Sequence, residues 1–452
     1  MSEPENLDEE PFDQINRGLL RVLAVAGLAG LAVGLVGGSF HWLLVHGGNG
    51  FLGLLAEWKL TPLWGIPGWI FAMIIAGVSV ALARWLVHFA PSSAGSGVQH
   101  VEAVMREQAV PAPFKVLPIK FVGGLLAMVP GLALGREGPT IQMAAVIGTQ
   151  CGKIFKLARE DRFMLYTAIA GSGLSVAFNA PMSGAAFVIE EVARRVTVRR
   201  LLTTLVAVAT AMAVYRGYFG NVVEFHVTEF LPATTAELII FGVLGAFMGA
   251  LGVAYNKTVL SGLNAFNQIA PTVSPTLKAG VIGALIGLVA YIEPIWVGGG
   301  EYQVNMILAG EFSLKALIIL WLVRWLLGPL SYSMGTPGGL FAPLLLVGAA
   351  SGALFATGAN TLLPDSDALT LGAFALVGMG AFFTAVVRAP VTGILLICEM
   401  SGTVSLMIPL LIASVTAALV ANLLKGEPIY DSLRARMNAA NAKGTAKARA
   451  SR

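Results

Sequence analysis

Three observations predict an all-α, polytopic membrane protein. Only 12% of the 452 residues are charged and 56% are hydrophobic, whereas a soluble globular chain carries roughly 25% charged residues. Several apolar runs approach or reach the roughly 20 residues that cross a bilayer as helix. They are Leu19 to Val45, Gly65 to Phe89, Val116 to Leu134, Leu201 to Phe219, Leu238 to Tyr255 and Leu410 to Leu424. These runs are continuous, not alternating, which excludes a membrane barrel. The third observation is 53 glycines, which suit close helix crossings and broken helices in lipid.

The elements follow in chain order. Residues 1–18 form an acidic segment: Glu3, Glu5, Asp8, Glu9, Glu10 and Asp13 stand where a secretory signal would be basic. Residues 19–424 are the transmembrane region, in two halves at roughly 19–219 and 238–424, and 425–452 form a basic tail. Bases cluster at Lys153, Lys156, Arg159 and Arg162, again at Arg194, Arg195, Arg199 and Arg200, and in the tail from Lys425 to Arg452. The positive-inside rule makes these regions cytoplasmic. Arg17 and Arg21 favour a cytoplasmic N-terminus as well. Gly220 to Glu237 and Ala359 to Asp367 lack Lys and Arg, and read as external. The bases are dispersed at the ends of apolar runs, so the net charge of +4 is no nucleic-acid signal. Cys151 and Cys398 form neither a disulfide framework nor a metal site, and His41, His46, His88, His100 and His226 have no ligand spacing.

The two halves repeat. Ala180-Pro181-Met182-Ser183-Gly184 runs on to Glu190, and 209 residues later Ala389-Pro390-Val391-Thr392-Gly393 runs on to Glu399. Gly135 through Pro139 to Gly148 matches Gly339 through Pro343 to Gly352 at a spacing of 204. Repeated halves of this size suit a transporter with a midplane site built from broken helices. Whether the halves are inverted depends on the number of crossings, which the pattern leaves open.

Three Gly-rich breaks are candidate half-helix starts. Gly95-Ser96-Gly97 precedes Val98 to Gln108; Gly135-Arg136-Glu137-Gly138-Pro139 lies between two apolar runs; Gly338-Gly339-Leu340-Phe341-Ala342-Pro343 is the third. Pro139 and Pro343 are each placed to open a helix. A helix start presents free N–H groups and a positive dipole end, which is an anion site, and Ser96 adds a hydroxyl donor. No lysine sits in any break, so dipoles would hold the anion. Arg136 and Glu137 are costly at membrane depth and mark a functional site by default. Glu137 would compete with the anion, and Arg136 would either steer anions or pair with an acid.

Gly95-Ser96-Gly97-Val98, Gly135 to Pro139, Gly339 to Pro343 and Tyr430 together resemble the anion-site motifs of the CLC chloride channel and transporter family, over a stretch from about Leu19 to Tyr430. The resemblance implies a homodimer of all-helical subunits, each made of two antiparallel repeats with its own anion pathway. It implies that Ser96, the backbone N–H groups of Leu340 and Phe341, and the Tyr430 hydroxyl bind chloride, with Gly95, Gly97, Gly135, Gly138 and Gly339 shaping the filter. Glu137 would be the external gating glutamate. On composition alone Tyr430 reads as an interfacial belt tyrosine; only the resemblance lowers that reading. One departure is plain: Gln99 stands where the family commonly has proline. The serine at 96 looks like chloride preference. With 22 residues after Tyr430, no appended regulatory domain is expected, and a prokaryotic origin goes with that.

Proton coupling needs an internal acid. Glu190 has a repeat counterpart in Glu399, which suits a scaffolding role common to both halves. Glu191 aligns with Met400 and has no counterpart, and the resemblance puts the internal proton glutamate at the same residue. The expected function is chloride/proton antiport across the plasma membrane, with chloride and protons as the partners, no cofactor and no metal. In this mechanism deprotonated Glu137 occupies the pathway as an anion mimic, leaves when protonated, and hands its proton towards Glu191. The alternative is a passive voltage- or pH-gated chloride channel, which needs no acid at 191. An intramembrane serine protease would need a base patterned with Ser96, Ser172 or Ser351, and none is found.

Overall fold

The computed structural model describes residues 17–61, 65–193, 197–227, 230, 233–362 and 370–450, with the side chains of 441–450 not described. The acidic residues between Glu3 and Asp13, Arg194 and Arg195, most of the 359–367 stretch and Arg452 therefore lie outside the described residues. Among the described residues the regular structure is helical, apart from two isolated bridges. The first half contains α1 (Arg17–Leu60), α2 (Gly68–Leu86), α3 (Val98–Met105), α4 (Val116–Met128), α5 (Glu137–Ile154), α6 (Arg159–Phe178), α7 (Pro181–Phe187) and α8 (Val198–Phe219). The second contains α9 (Thr235–Gln268), α10 (Pro275–Ile292), α11 (Glu301–Leu308), α12 (Leu314–Ser333), α13 (Phe341–Leu362), α14 (Leu371–Val387), α15 (Pro390–Ser401) and α16 (Met407–Leu423). A further helix, α17 (Ile429–Ala450), follows. Seven described helices are long and apolar enough to cross a membrane.

Helix ends are set by local chemistry. Thr197, Ser274, Ser313 and Thr370 each accept a backbone N–H with the side-chain oxygen, and Thr234 and Glu237 form a reciprocal capping box. Pro181 and Pro390 open α7 and α15. Pro139 and Pro343 do not open their helices as the sequence suggested. The helices start two residues earlier, at Glu137 and Phe341. The first four N–H groups of a helix have no intrahelical acceptor, so proline is tolerated anywhere in that turn.

The halves pair through equivalent parts. α1 packs on α8 as α9 packs on α16, and α5 on α6 as α13 on α14. α2 packs on its own counterpart α10, and α7 on its counterpart α15. Gly135 and Gly339 form an antiparallel bridge, each donating its N–H to the other's carbonyl at 2.9 and 2.7 Å. Such reciprocal pairing of equivalent residues is what a twofold rotation between the halves produces. α5, α6, α13 and α14 form the innermost, almost wholly buried layer. The chain after residue 424 is more than a tail: Ile429, Tyr430 and Leu433, on the first turns of α17, are buried in the core.

Candidate functional site

The three breaks meet. Gly95 accepts the N–H of Gly338 at 3.1 Å and donates its own to Thr336 at 3.2 Å, while the Gly135–Gly339 bridge joins the other two. Contact is tight enough to require glycine. A Cβ on Gly138 would lie 2.4 Å from Ser96 Oγ, and one on Gly339 would lie 1.9 Å from Glu137 Oε1. The starts of α5 and α13 and the loop before α3 thus converge at one buried point.

Glu137 is fully buried there. Its Oε1 accepts the N–H of Phe341, the first residue of α13, at 2.7 Å. A carboxylate therefore sits on a helix N-terminus of the opposite repeat, the kind of place that favours any anion. Leu340, next to Phe341, is buried too. On one side of this point lie Ser96 and Tyr430, both wholly buried and neighbours through their hydroxyls. Neither Ser96 Oγ nor Tyr430 Oη makes a full hydrogen bond within the protein. Two hydroxyl donors with spare capacity, in a buried setting, suit a bound anion. The Tyr430 ring stands edge-on to Phe341, with centroids 5.7 Å apart. That burial is incompatible with a belt tyrosine. The Ser96 N–H, in contrast, is directed to Tyr332 Oη at 3.4 Å, so the serine offers an anion its hydroxyl more than its amide. Gln99, in the first turn of α3, also interacts with the Tyr332 hydroxyl.

Arg136 pairs with acids. Its guanidinium reaches Glu224 at 2.8 Å and Glu301 at 3.1 Å, and its Nε donates to the Ala177 carbonyl at 2.6 Å. A cavity of about 590 Å³ opens beside it, lined by Val129, Gly131, Gly135, Arg136, Glu293 and Glu301 among others.

The acids at 190 and 191 part company in the fold. Glu190 accepts the N–H groups of Val391 and Thr392 and the Thr392 hydroxyl, at 2.9, 2.8 and 2.8 Å. Glu399 does the same to Met182 and Ser183, at 2.8, 2.8 and 2.5 Å. Each caps the other half's short helix. Glu191 turns inward from a wide π-type turn, Val188–Ala193, is buried, and hydrogen-bonds to the side chain of Glu102 on α3.

Sequence reasoning missed four participants. Lys120, fully buried on α4, donates to the carbonyls of Gly95 and Ser96 at 2.5 and 2.9 Å. No lysine lies within the breaks, as expected, but one is brought to the carbonyls of the first. A lone lysine inside the apolar run Val116–Leu134 was the available signal. Tyr332, Glu102 and Arg434 were also missed. Glu102 had a signal of the same kind, an acid on a short helix next to a break, whereas Tyr332 and Arg434 are joined to the site only by tertiary contacts.

The comparisons with known proteins agree on one family. The family described as voltage gated chloride channel matches residues 79–422. An H(+)/Cl(-) exchange transporter ClcA of Vibrio parahaemolyticus is 35% identical over 437 residues, covering 94% of this chain and 92% of the relative. The protein of that name from Klebsiella pneumoniae is 36% identical over 422 residues, covering 92% and 88%. The crystal structure of a slow cyanobacterial Cl-/H+ antiporter superposes with a TM-score of 0.87 at 32% identity, covering 93% of this chain and 98% of that one.

Proposed function

The chain belongs to the voltage-gated chloride channel (CLC) family, and from that premise we propose that it is a chloride/proton antiporter gated by Glu137, a transporter and not an enzyme. The observation that carries this reading is the Glu137 carboxylate on the Phe341 N–H, next to two buried hydroxyls with donor capacity to spare. Carboxylate and chloride seek the same donors, so they exclude one another. Protonation removes the negative charge that holds Glu137 on the α13 N-terminus, the side chain leaves, and chloride takes the Phe341 and Leu340 end of the pathway. Ser96 and Tyr430 hold chloride below it. When Glu137 returns, its proton is released towards Glu191 and Glu102. One contested position couples two opposed fluxes without a large rocking motion.

The same reading has the protein act as a homodimer in the plasma membrane. α5 supports the orientation: Glu137 and the acids paired with Arg136 lie at one end, Lys153 and Lys156 at or just beyond the other. The basic end and α17 are cytoplasmic by the positive-inside rule. A passive channel is less well supported, because the named relatives are exchangers and because an acid at 191 is present and directed inward.

The test uses purified protein in liposomes with a chloride gradient, read by a chloride electrode and a pH electrode together. Chloride leaving the vesicles should drive protons in the opposite direction, in a fixed ratio. Chloride flux with no accompanying proton movement would overturn antiport in favour of a channel.

A further inference from the structure

α3 and α17 meet at three levels along their length. At the first, Ser96, just before α3, neighbours Tyr430 in the first turn of α17. At the second, Arg434 reaches Glu102 at 2.9 Å. At the third, the Asn438 side chain donates to Gln108 at 3.0 Å. Tyr430, Arg434 and Asn438 are spaced four apart, so they share one face of α17. The anion-site wall and the inner carboxyl pair are thus two ends of a single helix–helix contact. Arg434 is the charged link in the middle, and Arg106, which ends α3, adds a second through Asp431.

Glu102 is fully buried and its side chain hydrogen-bonds to Glu191. Two carboxyl groups can share that bond only if at least one of them is protonated, so the pair carries at most one negative charge. Arg434 balances it. Arg434 also contacts Asp431 on its own helix at 2.7 Å, and Asp431 is paired in turn with Arg106 at 3.1 Å. On the α6 side, His100 and Tyr166 hydrogen-bond to one another at 3.1 Å, and Arg199 on α8 is engaged with Asp161 at 2.6 Å. Arg434 is the cation that joins this pair to α17, through its contact with Glu102.

We propose that Arg434 is a positioning residue that makes the hold of Tyr430 on the anion site depend on how many protons the Glu102–Glu191 pair carries. With one proton the pair is anionic and Arg434 pins α17 to α3, so Tyr430 is held against Ser96. A second proton, taken from cytoplasmic water onto a carboxylate oxygen, leaves the pair neutral. Arg434 then keeps Asp431, on its own helix, and loses its charged anchor on α3. Tyr430, one turn before Arg434, is released and the anion site opens towards the cytoplasm. Proton loading inside thereby licenses chloride exchange inside. The proposal rests on the antiport reading in taking Glu191 as the inner proton acceptor and Tyr430 as the inner wall.

Hydrogen–deuterium exchange on the purified full-length protein tests the latch without any transport assay. After correction for intrinsic rates, amides in 429–436 should lose protection several-fold between neutral and mildly acidic pH. In Arg434→Gln and in Glu102→Gln they should be poorly protected at both, while Arg434→Lys should behave like the parent. Protection in α13 and α14 should be unchanged in every variant, which separates a released latch from an unfolded protein. Should Arg434→Gln unfold, Glu102→Gln decides alone, since it removes charge with little change of size. In liposomes the same two neutralised variants should pass several-fold more chloride per proton. Protection of 429–436 that ignores pH in the parent, or that survives neutralisation, overturns the proposal. A parent that moves chloride without protons would instead overturn antiport, and the exchange data would still decide the latch.

Discussion

At Gly95-Ser96-Gly97 the chain enters an eight-residue helix through a left-handed glycine, Gly97 at φ 92°, and the Lys120 ammonium caps the carbonyls of residues 95 and 96. At Gly298-Gly299-Gly300 it enters another eight-residue helix through Gly300 at φ 118°, and the Arg324 guanidinium caps the carbonyls of residues 298 and 299. Lys120 and Arg324 are 204 residues apart, the repeat spacing, and both are almost wholly buried. The backbone device is therefore the same in both halves. What differs is the side chains placed on it. Ser96 faces the buried crossing where its counterpart is Gly299, and Glu137, the proposed gating acid, has Phe341 as its counterpart. Glu102 corresponds to Asn305, a neutral side chain bonded to backbone groups of Glu224, His226 and Glu301. The repeat builds a twofold frame of helix starts, and the departures from the repeat carry the charge chemistry.

The largest expected effect breaks that asymmetry at its centre. Glu137→Gln keeps the shape and removes the charge that competes for the Phe341 N–H. Proton movement in the two-electrode liposome assay should fall to background while chloride flux persists. Proton pumping that survives would mean that the asymmetric acid is not the coupling group.

The next test sets a symmetric acid against an asymmetric one. Glu191→Gln should stop proton transport and leave chloride passage, with thermal stability close to the parent. Glu190→Gln should do the opposite. It replaces a carboxylate that accepts three hydrogen bonds at the head of α15 with an amide, and each such bond to a charged group is worth about 1.5–3 kcal/mol. Lower melting temperature with coupling intact is the expected result, read by thermal unfolding and the flux ratio. Similar phenotypes for the two variants would dissolve the distinction between scaffold and site.

The smallest effect sharpens the comparison of the two cations. Lys120→Met and Arg324→Met each strand buried carbonyls, and both should lower thermal stability. Only Lys120→Met should also weaken chloride binding measured by calorimetry, because only its loop carries Ser96. A loss of about 1.5 kcal/mol corresponds to roughly tenfold in affinity. Equal binding losses in the two variants would show that Arg324 reaches the anion through the shared frame.

The sequence by itself determined the all-helical membrane class, the repeat, the three breaks and the special standing of Glu137, Glu190 and Glu191. These were legible because they are local or periodic: run length, glycine and proline punctuation, and charge where lipid makes charge costly. The repeat even separated Glu190 from Glu191 before any contact was known. Only the tertiary structure decided what those residues meet. Phe341 lies 204 residues from Glu137 and Tyr430 lies more than three hundred from Ser96, yet the pairs are neighbours. Tyr430 could not be told from an interfacial tyrosine by composition, because its role depends on α17 being packed into the core. Lys120 and Arg434 act through carbonyls and carboxylates on other helices, and no spacing along the chain encodes those partners. An anion site made of helix ends has its donors in the backbone, which is the same at every residue. Sequence marks where a helix can start, and packing decides which starts point at one another.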